Sequence, residues 1–429
     1  MPSTVTTAAE NPRLDYLDAV RAFALLLGIV FHASLSFMPV FIGWAVMDVS
    51  TSAVVGRFVL ISHAFRMELF FLIAGFFSHL AFHRGGAKAF LRSRGVRLAV
   101  PFMAGWFILR PLIVSGWVMG GASMRGDVDV WGGLREGFAV VVASLPGGLF
   151  AGSHLWFLYY LMLITALVLV MRILLKASGA GYAAAVRWAD GWVGWLAGAR
   201  GAVLVLAVPT TAVLWGMSGW GVDTPDQTLR PHLPALLLYG GFFVMGWAVH
   251  RRPERLDALT RVTVPRVMIA AVGVAVVLGL VDFQSQLGHD HYGLIRLGFL
   301  LGYAVAMWSL VLLTIGLFRR LAGRAHPAVR YVADASYWLY LVHLPLVVWL
   351  QIAVAEWGWP WSVKLVAICA GTIGLGLLSY DLGVRATWVG RVLNGRRRDR
   401  VLFAATTWRG VVGRVLEKFP SWRTPIIKS

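Results

Sequence analysis

Long apolar segments constrain the fold of this chain more than any other feature of its sequence. An α-helix that crosses the hydrocarbon core of a bilayer needs about 20 apolar residues, and helices satisfy their own backbone hydrogen bonds there. Barrel strands would instead alternate polar and apolar residues, a pattern that this sequence lacks. Hydrophobic residues make up 59% of the chain and charged residues 14%. The sequence therefore predicts an all-α, polytopic transmembrane helical bundle.

Hydropathy predicts about ten spans. A further apolar segment, 136–150, is short and contains Pro146, Gly147 and Gly148, so it is interpreted as a re-entrant or interfacial piece, with an eleventh span as the alternative. The predicted spans are 16–39, 57–82, 98–120, 154–175, 201–218, 233–250, 266–283, 293–318, 332–354 and 361–385.

The charges of the loops predict the sidedness of these spans. Arginine and lysine concentrate in alternate loops (84–97, 172–200, 251–266 and 319–330) and in the tail after 385, which the positive-inside rule assigns to the cytoplasm. Both termini are then cytoplasmic. The predicted domains are an N-terminal segment (1–15), the membrane domain (16–385) and a basic tail (386–429) that faces anionic lipid. This distribution accounts for the net charge of +19 without nucleic acid.

The first span carries charged groups that are costly inside a membrane and therefore indicate function. Asp18 and Arg21 lie three residues apart, on one helical face, and are expected to pair. His32 follows Arg21 by three helical turns, about 16 Å along the axis. Arg21 is thus predicted near the cytoplasmic edge and His32 beyond the midplane.

Further polar side chains lie at membrane depth or at the outer mouth of the predicted bundle. Arg66 and Glu68 are candidates for catalysis, with a structural ion pair between helices as the alternative. His343 is a second candidate base, and hydrogen-bonded packing is its alternative. The candidates for substrate contact on this side are His63, Arg110, His154, Trp156 and Arg296.

Arg94 and Arg97 form an Arg-x-x-Arg pair just before the third span, on the predicted cytoplasmic side. Guanidinium groups bind phosphate through two parallel hydrogen bonds, so this pair is a candidate site for a phosphorylated donor. The alternative is that the positive-inside rule alone places arginine here.

These groups suit acyl transfer more than other membrane chemistry. A histidine is a natural general base near neutral pH, and at the position of His32 it could deprotonate a sugar hydroxyl for attack on a thioester. The sequence shows no metal-ligand spacing, no nucleophile elbow and no phosphate-binding loop, so no metal and no bound cofactor are expected.

The chain resembles the membrane acyltransferase-3 family in five blocks that occur in the family's order. The first runs from Arg13 through Arg21 to His32, and the second is Glu68-Leu-Phe-Phe-Leu-Ile-Ala-Gly75-Phe, in which Glu68 and Ala74 replace the usual Asp and Ser. The other blocks are Arg94-x-x-Arg97, the phrase at His154–Leu158, and Ser336 to Pro345. Within the family, the phrases around His32 and His63 resemble the glucans biosynthesis protein C branch.

The resemblance implies an enzyme of the bacterial inner membrane that moves an acyl group, succinyl in this branch, from cytoplasmic acyl-CoA to hydroxyls of a periplasmic glucan. It implies His32 as the base or a transient acyl carrier, paired with Arg21, and Arg94 with Arg97 against the CoA phosphates. A carboxylated acyl group would need a cation, for which Arg66, Arg110 or Arg296 could serve.

Three alternatives remain open at this stage. One is a polysaccharide exporter or flippase without chemistry, although the broken helices in repeated halves that are common in transporters are not found. Another is a transacylase that serves cellulose or another exopolysaccharide. The third is a structural subunit of a glycan-synthesis complex, which is also a possible partner of the enzyme.

Overall fold

The computed structural model describes residues 15–123, 128–143, 154–226, 228–321 and 326–401. Within these ranges the chain forms helices and no strand. Short 3₁₀ or π-helical segments connect some of the α-helices. The α-helices are α1 (Asp15–Ser34), α2 (Ala53–His63), α3 (Arg66–Arg94), α4 (Val100–Ser123), α5 (Val130–Ala143), α6 (Trp156–Ala177), α7 (Ala180–Gly198), α8 (Ala202–Trp215), α9 (Leu233–His250), α10 (Pro253–Leu259), α11 (Val264–Leu280), α12 (Tyr292–Leu321), α13 (Pro327–Val354), α14 (Trp361–Ser379) and α15 (Trp388–Asn394).

Eight helical stretches in the described part of the chain are long and apolar enough to cross a membrane. One of them, Ala53–Ser123, contains both the second and the third predicted span, so the eight stretches account for nine of the ten. The remaining prediction, 201–218, corresponds to α8, a shorter apolar helix. The all-α, polytopic bundle is thus confirmed, while the cytoplasmic location of its termini stays a prediction.

Three local features differ from the sequence-based expectation. The second predicted span is divided at Ala64 and Phe65 into α2 and α3, because Phe65 does not have a helical backbone conformation. The predicted loop 172–200 contains a helix, α7. The helix in the segment 136–150, α5, begins earlier than that segment, at Val130. Positions 144–150 lie outside the described residues, so the interpretation as a re-entrant or interfacial piece stays a prediction.

Helix α3 packs along α9 through glycines that allow the two backbones to touch. A Cβ atom at Gly75 would collide with the carbonyl oxygen of Phe243, and one at Gly246 would collide with that of Leu72. Small residues at helix interfaces in membranes permit such close approach. The close contact at Gly75 therefore fixes α3 within the bundle.

The remaining helices surround this pair. Helix α12 contacts α8, α11 and α1, and α1 in turn packs against α13 and α14. Helix α5 lies along α4. Most of the buried apolar side chains form one cluster that joins α1, α3, α6, α9, α12 and α13, so the elements that carry the candidate site residues share one core.

The described start of the basic tail is attached to the same end of the bundle as Arg97. Arg398 forms an ion pair with Asp334 of α13 at 2.7 Å, and the backbone N–H of Val401 donates to Asp381. Residues 402–429 of the predicted tail and 1–14 of the N-terminal segment lie outside the described residues. The division into three domains stays a prediction.

We expect Gly75→Ala to destabilise the bundle, because its new methyl group collides with backbone rather than with a flexible side chain. Overpacking of this kind costs about 1–3 kcal/mol. The measurement is the midpoint of thermal unfolding of purified protein in detergent. Gly240→Ala, in α9, is the matched control because a Cβ there meets no atom within 4 Å; equal midpoints for the two variants would contradict the proposed contact.

Candidate active site

A cavity of about 1850 Å³ runs through the bundle between α1, α3, α4 and α13. One end is lined by arginines and the other by acids, with imidazole and guanidinium groups between them. The lining at the first end includes Arg21, Arg84, Arg94 and Arg97, and at the second Asp223, Asp226 and Asp282. Because the loops of the acidic end are those predicted outside, the cavity connects the two sides that the charges of the loops distinguish.

His32 lies in the last turn of α1 and lines the middle of the cavity. Its ring stacks on Trp44 with 5.6 Å between centroids and an angle of 18°, and it lies 5.3 Å from the ring of His343. Its Nδ1 atom is buried and has no hydrogen-bond partner among the described residues. Nδ1 of His32 therefore lacks the hydrogen bond that a histidine with a purely structural role usually makes.

His343 and His154 continue this group of imidazoles. The Nδ1 atom of His343 lies 2.8 Å from the carbonyl oxygen of Tyr340, and Nε2 of His154 lies 3.0 Å from that of Leu341. A carbonyl oxygen only accepts, so each of these nitrogens carries a hydrogen. In its neutral form His343 therefore keeps its lone pair on Nε2, which makes this atom the one that could accept a proton.

The junction of α2 and α3 brings His63 and Arg66 to the same cavity. Nε2 of His63 donates to the carbonyl oxygen of Val222 at 3.1 Å, and its ring stacks on Phe31. The Arg66 guanidinium lies 4.0 Å from the centroid of the Phe31 ring. Its Nη1 atom is buried without a hydrogen-bond partner among the described residues, so this cation can bind an anion.

Glu68 is completely buried but does not line the cavity. Neither of its carboxylate oxygens has a hydrogen-bond partner within the described ranges. Arg66 and Glu68 both belong to α3, and side chains two positions apart on a helix do not face each other, so an ion pair between these two side chains would not join two helices. Their roles in catalysis stay predictions.

At the arginine-rich end, the expected pair within α1 is confirmed. Arg21 donates to Asp18 at 3.1 Å, and its guanidinium faces the ring of Phe77 in α3. Arg21 lines the cavity, whereas Asp18 does not. The ion pair with Asp18 therefore holds the Arg21 side chain at the arginine-rich entrance of the cavity.

Arg94 reaches the cavity because α3 reverses its direction. Gly86 has φ 74° and ψ 173°, a conformation that is essentially restricted to glycine. The chain then returns, so that Arg94 donates to the hydroxyl oxygen of Ser78 at 2.7 Å. Arg97 lies next to it, against Gly395 of the tail, and the hydroxyl of Tyr337 donates to its carbonyl oxygen.

The other predicted residues divide into two groups. Arg110 and Trp156 line the cavity, with the Arg110 guanidinium 5.0 Å from the centroid of the Trp106 ring. Arg296 is outside the lining. It donates to the carbonyl oxygens of Trp215 and Met217 at the end of α8 and thereby holds that segment, while its contact with substrate stays a prediction.

Sequence reasoning overlooked the residues that surround His32 and a buried ion pair further along the same loop. Trp44 contacts its ring, and Gln351 of α13 binds both Trp44 and the end of α1. Lys364 and Asp48 form a completely buried ion pair at 2.7 Å. The sequence could have indicated Lys364, because a lysine inside an apolar span is rare and seldom unpaired.

Within the described ranges no group of three or more His, Cys, Asp or Glu is arranged to hold a metal ion.

Comparison with known proteins identifies the kind of enzyme that such a cavity serves. A family model described as an acyltransferase domain matches residues 14–381. The chain belongs to this acyltransferase-3 family. The match begins just before α1 and ends after α14, so it includes the helices that carry His32, Arg66, Arg94 and His343, and the family resemblance seen in the sequence is confirmed.

Curated relatives of this acyltransferase include proteins called glucans biosynthesis protein C. Those of Salmonella typhi, Salmonella typhimurium strain LT2 and Salmonella heidelberg strain SL476 are each 24% identical over 396 residues, which is 90% of this chain and 95% of the relative. No solved structure matches the chain.

We expect Gly86→Ala to open the reversal that places Arg94. The strained backbone would cost about 1–3 kcal/mol, which corresponds to at least about a fivefold larger population of locally open chain. Trypsin should therefore cut within 84–94 at least about five times faster, as measured by mass spectrometry of the released peptides. Gly95→Ala is the control, since it adds a methyl group in open space without a positive φ; equal cleavage rates would show that the reversal does not need glycine.

Proposed function

We propose that this membrane acyltransferase transfers an acyl group from acyl-CoA to hydroxyl groups of a glucan. The observation that carries the proposal is the cavity in which His32 lies between an arginine-rich end and an acidic end. The name of the curated relatives supports glucan as the acceptor. We further propose that the protein resides in the bacterial inner membrane, with the arginine-rich end in the cytoplasm where acyl-CoA is made.

The arginine-rich end supports acyl-CoA as the donor. Arg21, Arg94 and Arg97 line the cavity from three segments of the chain. Their guanidinium groups suit the phosphates of CoA, since charge-assisted hydrogen bonds to phosphate are strong and directional. A thioester bound there would extend its acyl group along the cavity towards His32.

The chemistry requires one base near the acceptor. His32 takes the proton of a glucan hydroxyl, whose oxygen attacks the thioester carbonyl carbon. The carbon–sulfur bond then breaks, the new ester forms, and the departing thiolate takes the proton back from the imidazolium. An intermediate in which His32 itself carries the acyl group is the second route, and mass spectrometry of rapidly quenched enzyme would detect acylated His32.

Succinyl is the acyl group that we propose. Arg66 and Arg110 line the cavity, and a guanidinium would bind the distal carboxylate of succinyl.

An exporter that catalyses no reaction would also use a cavity that extends through the bundle. It would not need, at the middle of that cavity, an imidazole with a ring nitrogen that lacks a hydrogen-bond partner among the described residues.

We predict that His32→Ala lowers glucan acylation by at least about 100-fold, because general-base catalysis contributes about 10²–10⁴-fold. The measurement is mass spectrometry of periplasmic and secreted glucans, with immunoblots to verify that the variant accumulates in the membrane. His291→Ala, at an exposed position, is the control. Full acylation by the His32 variant would show that His32 is not the base. Normal acylation in a strain that lacks the protein would contradict the proposed function itself.

We expect Arg94→Ala combined with Arg97→Ala to weaken binding of acyl-CoA at least about tenfold, because a hydrogen bond to a charged group contributes about 1.5–3 kcal/mol. Calorimetric titration of the detergent-solubilised protein with succinyl-CoA would measure the change. Arg92→Ala is a matched control, since Arg92 is exposed on the same helix and does not line the cavity. Equal affinities would indicate that Arg94 and Arg97 only help to orient the protein in the membrane.

A further inference from the structure

The loop between α1 and α2 forms the wall of the cavity next to His32. Its side chains between Met38 and Trp44 line the cavity together with those of α1. Trp44 is the member of this loop that stacks on the His32 ring, and its indole also meets the ring of Trp117 edge-on at 5.1 Å. One face of the imidazole is thus covered by a residue more than 10 positions away in the sequence.

Gln351 of α13 uses both ends of its amide to hold this arrangement. Its Oε1 accepts from the indole N–H of Trp44 at 2.9 Å. Its Nε2 donates to the carbonyl oxygens of His32 at 3.0 Å and Ala33 at 3.1 Å. Carbonyls in the last turn of a helix lack intrahelical partners, so the amide satisfies them and simultaneously holds the ring that covers His32.

We propose that Gln351 and Trp44 are positioning residues that set the orientation of the His32 imidazole in the acyltransferase. This inference rests on the proposed role of His32 as the base. Gln351 is buried, with 1% of its surface exposed, so it acts through His32 and Trp44. Catalysis is sensitive to such orientation, because a misplacement of about 1 Å can cost about 100-fold in rate.

A buried ion pair keeps the loop in place. Lys364 of α14 donates to Asp48 at 2.7 Å and to the carbonyl oxygen of Ala355 at 3.0 Å. The backbone N–H of Asp48 donates to the carbonyl oxygen of Ser36 at 2.9 Å. Trp44 is therefore held between the end of α1 and an anchor four residues further along, which preorganises the ring against His32.

Steady-state kinetics of purified enzyme with succinyl-CoA and glucan test the proposal. Gln351→Met keeps the volume of the side chain but loses all three hydrogen bonds, and Trp44→Leu loses the stacking ring. Each should lower kcat by about tenfold or more with little change in the KM for succinyl-CoA. Trp44→Phe retains a ring on His32 and should recover part of the loss.

Two comparisons separate positioning from a general loss of stability. Trp349→Phe removes a similar indole hydrogen bond on the same helix, to the carbonyl oxygen of Leu112 at 3.0 Å, and should leave kcat near wild type. The double variant of Gln351→Met and Trp44→Leu should be about as slow as the slower single variant, because residues that act as a unit are not additive.

A readout that does not depend on transferase activity completes the test. Trp44→Leu should expose the His32 ring, so its modification by diethylpyrocarbonate should accelerate severalfold relative to the exposed His83 in the same sample. Unchanged His32 modification in Trp44→Leu, additive losses of kcat, or a loss in Trp349→Phe equal to that in Gln351→Met would overturn the inference. Wild-type enzyme that acylates no glucan would instead contradict the proposed function, while the modification rates would still decide the positioning.

Discussion

The contact between α3 and α9 supports much of the cavity wall. Because Gly75 and Gly246 have no side chains, the two backbones approach closely enough to fix the depth and rotation of α3. The same helix then presents Arg66 at the middle of the cavity and Ser78 near its arginine-rich end. Packing between two glycines and two main chains thus determines where Arg66 and Ser78 lie, some 18 Å apart along one helix at about 1.5 Å per residue.

The order of chemical groups along the cavity matches the order of events in an acyl transfer. Guanidinium groups at one end suit a phosphorylated carrier, imidazoles in the middle suit proton transfer, and the acidic end suits a hydroxylated acceptor. One ring nitrogen of His154 and one of His343 donate to carbonyl oxygens, whereas Nδ1 of His32 has no partner among the described residues. Because Nε2 of His343 keeps its lone pair, His343 stays a second candidate base beside His32.

The sequence predicted features that depend on local spacing. The pairing of Asp18 with Arg21 follows from helical periodicity, and the nearness of Arg94 and Arg97 follows from their separation of three. The contact of Gln351 with Trp44 was beyond prediction, because 307 positions separate them and neither periodicity nor hydropathy indicates such a partner. The partners of Arg296 were beyond prediction for a related reason, because the carbonyl oxygens that it binds belong to a helix end distant in the sequence.

The arginines at the middle of the cavity have an electrical consequence. A water-filled passage lined from one side of a membrane to the other would let protons and other ions leak through it. Positive groups at a constriction repel protons and metal cations, as they do in water-selective channels. Arg66 and Arg110 line the cavity, so under the proposed function they would oppose the passage of protons while an acyl group moves between the two faces.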